Sequence, residues 1–109
     1  MANIWVQAIN PRRPDTLILV RTDTITQLSV NDVRIFASRV ESNDAVLLVH
    51  RDTEGGKPLP EDFHMSYLVT MAKAREQARD SVDDLILLAD RDDNGNWDWS
   101  IFTASELLA

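Results

Sequence analysis

Cysteine is absent from this chain, glycine occurs three times and proline four, and no apolar run is long. Each shortage excludes something. Without cysteine there is no disulfide framework, no thiolate nucleophile and no cysteine zinc site. That usage suits a reducing compartment, and a cytoplasmic location is expected. Two glycines are adjacent, Gly55 and Gly56, and the third is Gly95, so no glycine-rich phosphate loop can be drawn. His-Glu zinc motifs and serine elbows are missing as well. The longest apolar runs, Leu17–Val20 and Leu85–Ala89, fall far short of the roughly twenty residues that cross a bilayer. The opening MANIWVQAINPRRPD has no basic segment followed by a long apolar one, so neither a signal peptide nor a membrane role is expected.

Positive charge is scarce in one region only. The formal net charge is −7, yet residues 1–79 carry ten acids and ten bases. Residues 80–109 carry Asp80, Asp83, Asp84, Asp90, Asp92, Asp93, Asp98 and Glu106 against Arg91 alone. Phosphate-backbone binding needs clustered Lys and Arg, so direct contact with nucleic acid is not expected. Two explanations of the acidic third stand side by side: a solvated face that aids solubility, or a docking surface for a basic partner. The rest of the composition is ordinary. With 109 residues, 44% hydrophobic and 27% charged, the chain is expected to be a single domain over 1–109 with one core.

The first half reads as strands. Ile4–Ile9 is short and β-rich and ends at Asn-Pro-Arg-Arg-Pro-Asp, where two prolines interrupt any ladder. Thr16–Arg21 and Thr24–Val30 are rich in Thr, Ile, Leu and Val, with a kink over Arg21–Asp23. Asn31-Asp32 is a turn signal, and Val33–Val40 and Ala45–Arg51 flank the compact loop Glu41–Asp44. A flexible loop, Asp52–Pro60, then leads into a helix from about Asp62 to Arg79. Glu61 and Asp62 favour its N-terminus, and Lys73, Arg75 and Arg79 its C-terminal part. Phe63, Tyr67, Leu68, Met71, Ala72, Arg75 and Ala78 recur at three- and four-residue steps, which predicts an apolar stripe facing the sheet. Near the end, Thr103-Ala-Ser-Glu106 is a capping-box pattern that starts a short helix.

The stretch ADRDDNGNWDW, residues 89–99, has two readings. Asp90, Asp92, Asn94, Asn96 and Asp98 are spaced like the oxygen ligands of a calcium loop, with Gly95 at the tight turn and Trp97 at the apolar position. Over about a dozen residues this resembles an EF-hand loop, which implies calcium binding between two helices. It departs at Ile101, where that family carries its bidentate glutamate, and there is no second loop. The competing reading is a hairpin with Asn94-Gly95 at the centre of a two-residue turn. That register sets Arg91 opposite Asp98, Leu88 opposite Ile101 and Leu87 opposite Phe102. The hairpin is the favoured reading, with the aspartates as turn-formers.

Few other residues carry chemistry. His50 and His64 with nearby Asp or Ser66 are the minimum for acid–base or nucleophilic work, but no constellation forms around them, and no enzyme is expected. Trp5 is expected to fill the core. Trp97 and Trp99 lie two apart beside acid, the composition of a binding hot spot with a charged rim. The sequence thus predicts an α+β fold: a largely antiparallel sheet of six or seven strands, one long helix packed on it and a short C-terminal helix. The expected function is a small acidic protein-binding module without a cofactor. Asp90, Asp92, Asp93, Trp97, Asp98 and Trp99 would meet another protein with a basic or mixed surface. Small acidic inhibitors, immunity proteins and phage accessory proteins are similar in size and charge. Calcium binding at Asp90, Asp92, Asn94, Asn96 and Asp98 is the alternative, followed by nucleic-acid mimicry and a small hydrolase.

Overall fold

The computed structural model describes residues 2–10, 12–31, 34–40, 45–50, 60–92 and 94–108. Its elements run β1 (Ile4–Asn10), β2 (Arg13–Arg21), a 3-10 turn (Thr22–Thr24), β3 (Ile25–Asn31), β4 (Arg34–Arg39), β5 (Val46–His50), α1 (Phe63–Asp80), β6 (Leu85–Arg91), β7 (Trp97–Thr103) and α2 (Ala104–Leu108). The fold is α+β: a mixed seven-stranded sheet, one long helix lying on it and a short C-terminal helix. The expected loops Glu41–Asp44 and Asp52–Pro60, apart from Pro60, lie outside the described residues, as does Asp32 of the Asn31-Asp32 turn.

β1 organises the sheet. It pairs antiparallel with β2, parallel with β6 through Ile4–Leu85, Trp5–Ile86 and Val6–Leu87, and antiparallel with β5 at Ile9–Leu47. β2 begins earlier than its prolines suggest. Pro14 lies inside it, where the register against β1 shifts between Ile9 and Asn10, so the irregularity absorbs the residue that cannot donate. The chain then turns sharply. Thr24 Oγ1 donates to the Arg21 carbonyl (2.7 Å), and Thr22 Oγ1 donates to the Ile4 carbonyl (3.0 Å). Past this corner β3 pairs with β4, and β4 pairs with β5, which returns to β1. The sheet therefore runs β3-β4-β5-β1-β6-β7, with β2 branching off at β1, and α1 covers one side of it.

Val6, Ile35, Ala37 and Leu87, each fully buried, form the centre of the core. On α1 the buried residues are Phe63, Tyr67, Met71, Ala74 and Ala78. This corrects the expected stripe: Leu68 is 61% exposed, Ala72 and Arg75 also face outward, and Ala74 takes the inward place. Rotation is set by the aromatic end of the helix, where Phe63 stacks on Trp99 at 5.1 Å and Tyr67 meets the same ring edge-on at 5.2 Å. With those two residues turned inward, steps of four, three and four bring Met71, Ala74 and Ala78 to the sheet. The small side chains at 74 and 78 leave room for close approach.

Trp5 is not a core residue. It is half-buried, its Nε1 donates to Asp84 Oδ2 (2.9 Å), and the Arg21 guanidinium lies 5.6 Å from its ring. Asp84 also accepts from the Asn3 amide (3.0 Å), which clips the start of β1 to the start of β6. These bonds hold the Asp84 carboxyl below its usual range. The capping box forms as expected: the Glu106 amide donates to Thr103 Oγ1 (3.2 Å), and the Thr103 amide donates to Glu106 Oε1 (3.0 Å). Among the described residues, no helix is long and apolar enough to cross a membrane.

Candidate docking site at the end of the sheet

Residues 85–103 form the hairpin β6–β7, so the helix that a calcium-binding frame needs before its loop is a strand. The register differs by one residue from the expected one. Leu87 faces Ile101, Ala89 faces Trp99, Asp90 faces Asp98 and Arg91 faces Trp97. The cause is the turn. The Asp92 amide donates to the Asn96 carbonyl, and the Gly95 amide donates to the Asp92 carbonyl, both at 2.9 Å. Gly95 sits at φ 80°, a region that glycine enters without penalty. Asp92 Oδ1 accepts the amides of Asn94 and Asn96, each at 2.9 Å. The turn thus closes at Asp92–Asn96 rather than around Asn94-Gly95 alone, and the longer loop moves every pair along by one.

That single step decides what each side chain does. The expected Arg91–Asp98 cross-strand pair is replaced by Asp90 opposite Asp98, two carboxylates on one face. Both are exposed, and each is bonded through Oδ1 to the amide that follows it. Among the described residues neither has a cationic partner. Arg91 instead lies 5.4 Å from the Trp97 ring. Trp97 and Trp99 share the face under α1, and the helix covers what the acidic composition suggested would stay open. Trp99 is 6% exposed and donates from Nε1 to the Phe63 carbonyl (3.1 Å), so it is a core residue and not an exposed anchor. Trp97 is half-buried against Phe63 at 6.2 Å. Asp92 serves the turn, and Asp93 lies outside the described residues.

β6 stays paired with β1 only as far as Leu87; beyond it, β1 reaches β5 at Ile9 instead. The strands part there. The fork opens a cleft of about 170 Å³ whose walls include Gln7, Ile9, Leu17, Leu88, Asp90 and Trp97, with Arg91 at its edge drawn to the Trp97 ring. Leu17 of these walls and Leu19 beside it, on the face away from α1 where Ala104 and Leu107 of α2 lie close by, are 62% and 50% exposed. Sequence reasoning passed over these two leucines, because a run of Leu, Ile and Val reads as buried strand; their alternation with Ile18 and Val20 was the available signal.

The histidines do not join this site. The His50 side chain is outside the described residues, and His64 sits in the first turn of α1 with its Nδ1 buried and without a hydrogen-bond partner among the described residues. No cluster of three or more metal-ligating side chains occurs among the described residues. Compared with known proteins, the chain matches no family model, no curated protein and no solved structure.

Proposed function

We propose that the chain is a small non-enzymatic protein-binding module that takes a basic side chain of its partner into the fork between β1 and β6. The observation that carries the reading is the juxtaposition in that cleft. Apolar walls from Leu17, Leu88 and Trp97 suit the stem of a Lys or Arg, and Asp90, with Asp98 across the strand, suits its charged head. A cross-strand pair of carboxylates repels itself, so a cation placed between them relieves an unfavourable contact. Exposed Leu17 and Leu19 beside the acids give the anatomy of an interface, apolar at the centre and charged at the rim.

The test is affinity capture from native lysate with the wild-type chain and with Asp90→Lys/Asp98→Lys side by side. A protein with a basic patch is expected with the wild type and not with the variant, and its affinity should fall as salt rises. Equal recovery of the same partner by both chains would overturn the proposal.

A further inference from the structure

A second cleft lies between β3 and α1, shares no lining residue with the fork, and has a chemistry opposite to that of the hairpin. Its volume is about 330 Å³. Ile25, Leu28 and Met71 supply apolar walls, and His64, Tyr67 and Arg75 supply polar groups. A smaller cavity of about 260 Å³ adjoins it, shares Thr22, Met71 and Arg75, and adds Arg21. The acid that borders this pair of cavities, Asp23, is bonded to Arg21 at 2.9 Å, which leaves Arg75 uncompensated by it. In a chain of net charge −7, this is a local inversion of sign.

The polar groups here are not satisfied internally. Tyr67 is 4% exposed overall, yet its hydroxyl is not among the fully buried unpartnered atoms of the described residues, so it opens to the cleft that the residue lines. His64 Nδ1, at the far end of the same wall, is buried and has no partner among the described residues. Polar groups buried in a protein normally find a partner. Tyr67 and Arg75 both line this cleft, where burial pushes the Tyr67 phenol up to about 12 and the Arg75 charge acts against it. Thr22 and Thr26, by contrast, already donate to the carbonyls of Ile4 and Ser38.

We propose that the β3–α1 cleft binds a small amphipathic carboxylate, with its anionic end held by the Arg75 guanidinium and the Tyr67 hydroxyl and its apolar tail laid along Ile25, Leu28 and Met71. Size supports a small molecule. At the roughly 30 Å³ that each water occupies in the liquid, the cleft of about 330 Å³ holds on the order of eleven heavy atoms. The binding does not depend on the hairpin reading above, because the two sites share no residue.

Octanoate is the probe, titrated into the full-length isotope-labelled chain and followed by amide chemical shifts. Saturable shifts confined to residues 25–28 and 64–75 are expected. Arg75→Gln should weaken binding about tenfold, the loss of one charge-assisted contact. Octylammonium, with the same tail and the opposite charge, should bind at least about tenfold more weakly than octanoate. Because Arg75 is exposed, the variant should melt like the wild type, and Asp90→Lys/Asp98→Lys should bind octanoate as the wild type does. No saturable shift with octanoate, or equal binding of the ammonium, or equal binding by Arg75→Gln, would each overturn the proposal.

Discussion

Leu68 and Met71 lie three residues apart on α1, and hydrophobicity alone does not say which is buried. The structure gives Leu68 to solvent and Met71 to the core, at 61% and 5% exposure. Met71→Ala should therefore cost about 2–5 kcal/mol, and Leu68→Ala should stay within about 0.5 kcal/mol of wild type. Urea melts of the two variants check this, and equal effects would show a different helix rotation. Trp99→Ala should be among the most damaging changes, about 3–5 kcal/mol, because it removes the ring on which Phe63 and Tyr67 pack. Among the described residues, Asp84 and Tyr67 carry shifts that bear on stability against pH. Asp84 is held below its ordinary 3.8, so its contribution is present above that value and is lost as pH falls through the lower folded value. Tyr67 is raised from 10.0 to about 12, so stability should be level below pH 10 and decline as pH rises toward 12. Denaturant melts across both ranges, with Asp84→Asn and Tyr67→Phe as references, should flatten the acid and the alkaline limb respectively. The burial of Trp99 was not legible in the sequence. Acidic neighbours made it look exposed, and only the arrival of α1 from another part of the chain covers it.

At the scale of elements, local signals were read well and spacing was not. Both helices, all seven strands and the capping box at Thr103–Glu106 are visible in residue types, because propensity, capping and turn chemistry act over a few positions. The hairpin was visible too, yet its register was one residue off. Asn94-Gly95 reads as a two-residue turn, but Asp92 captures two amides with one oxygen and closes a longer loop. That step put Asp90 across from Asp98, where the sequence had suggested an ion pair between Arg91 and Asp98. Asp92 is thus a structural residue. Asp92→Ala should loosen the turn and cost about 1 kcal/mol, and Gly95→Ala should cost a similar amount because φ is positive there. Amide exchange within β6 and β7 should rise in both variants and remain unchanged in the β3–β4 pair. Faster exchange throughout the sheet would contradict a local role.

The arrangement of the whole molecule was least legible. Nothing in residues 13–31 says that β2 and β3 serve different neighbours across a corner, or that β1 receives both β5 and β6 on the way. Those pairings join segments far apart in sequence, and a single strand pattern fits several of them equally well. Their consequence is the fork, which gathers Leu17, Leu88, Asp90 and Trp97 from three strands into one cleft. The acidic third of the chain is thereby divided in use: Asp84 clips β1 to β6, Asp92 shapes the turn, and Asp90 lines the cleft with Asp98 exposed across the strand from it. The docking proposal at this cleft is best tested by mapping the captured partner onto the isotope-labelled chain by amide and indole chemical shifts. The largest changes should fall at Leu17, Leu88, Asp90, the Trp97 indole and Asp98, with the Trp99 indole nearly unmoved. Changes centred instead on His64, Tyr67 and Arg75 would contradict it and move protein recognition to the β3–α1 cleft.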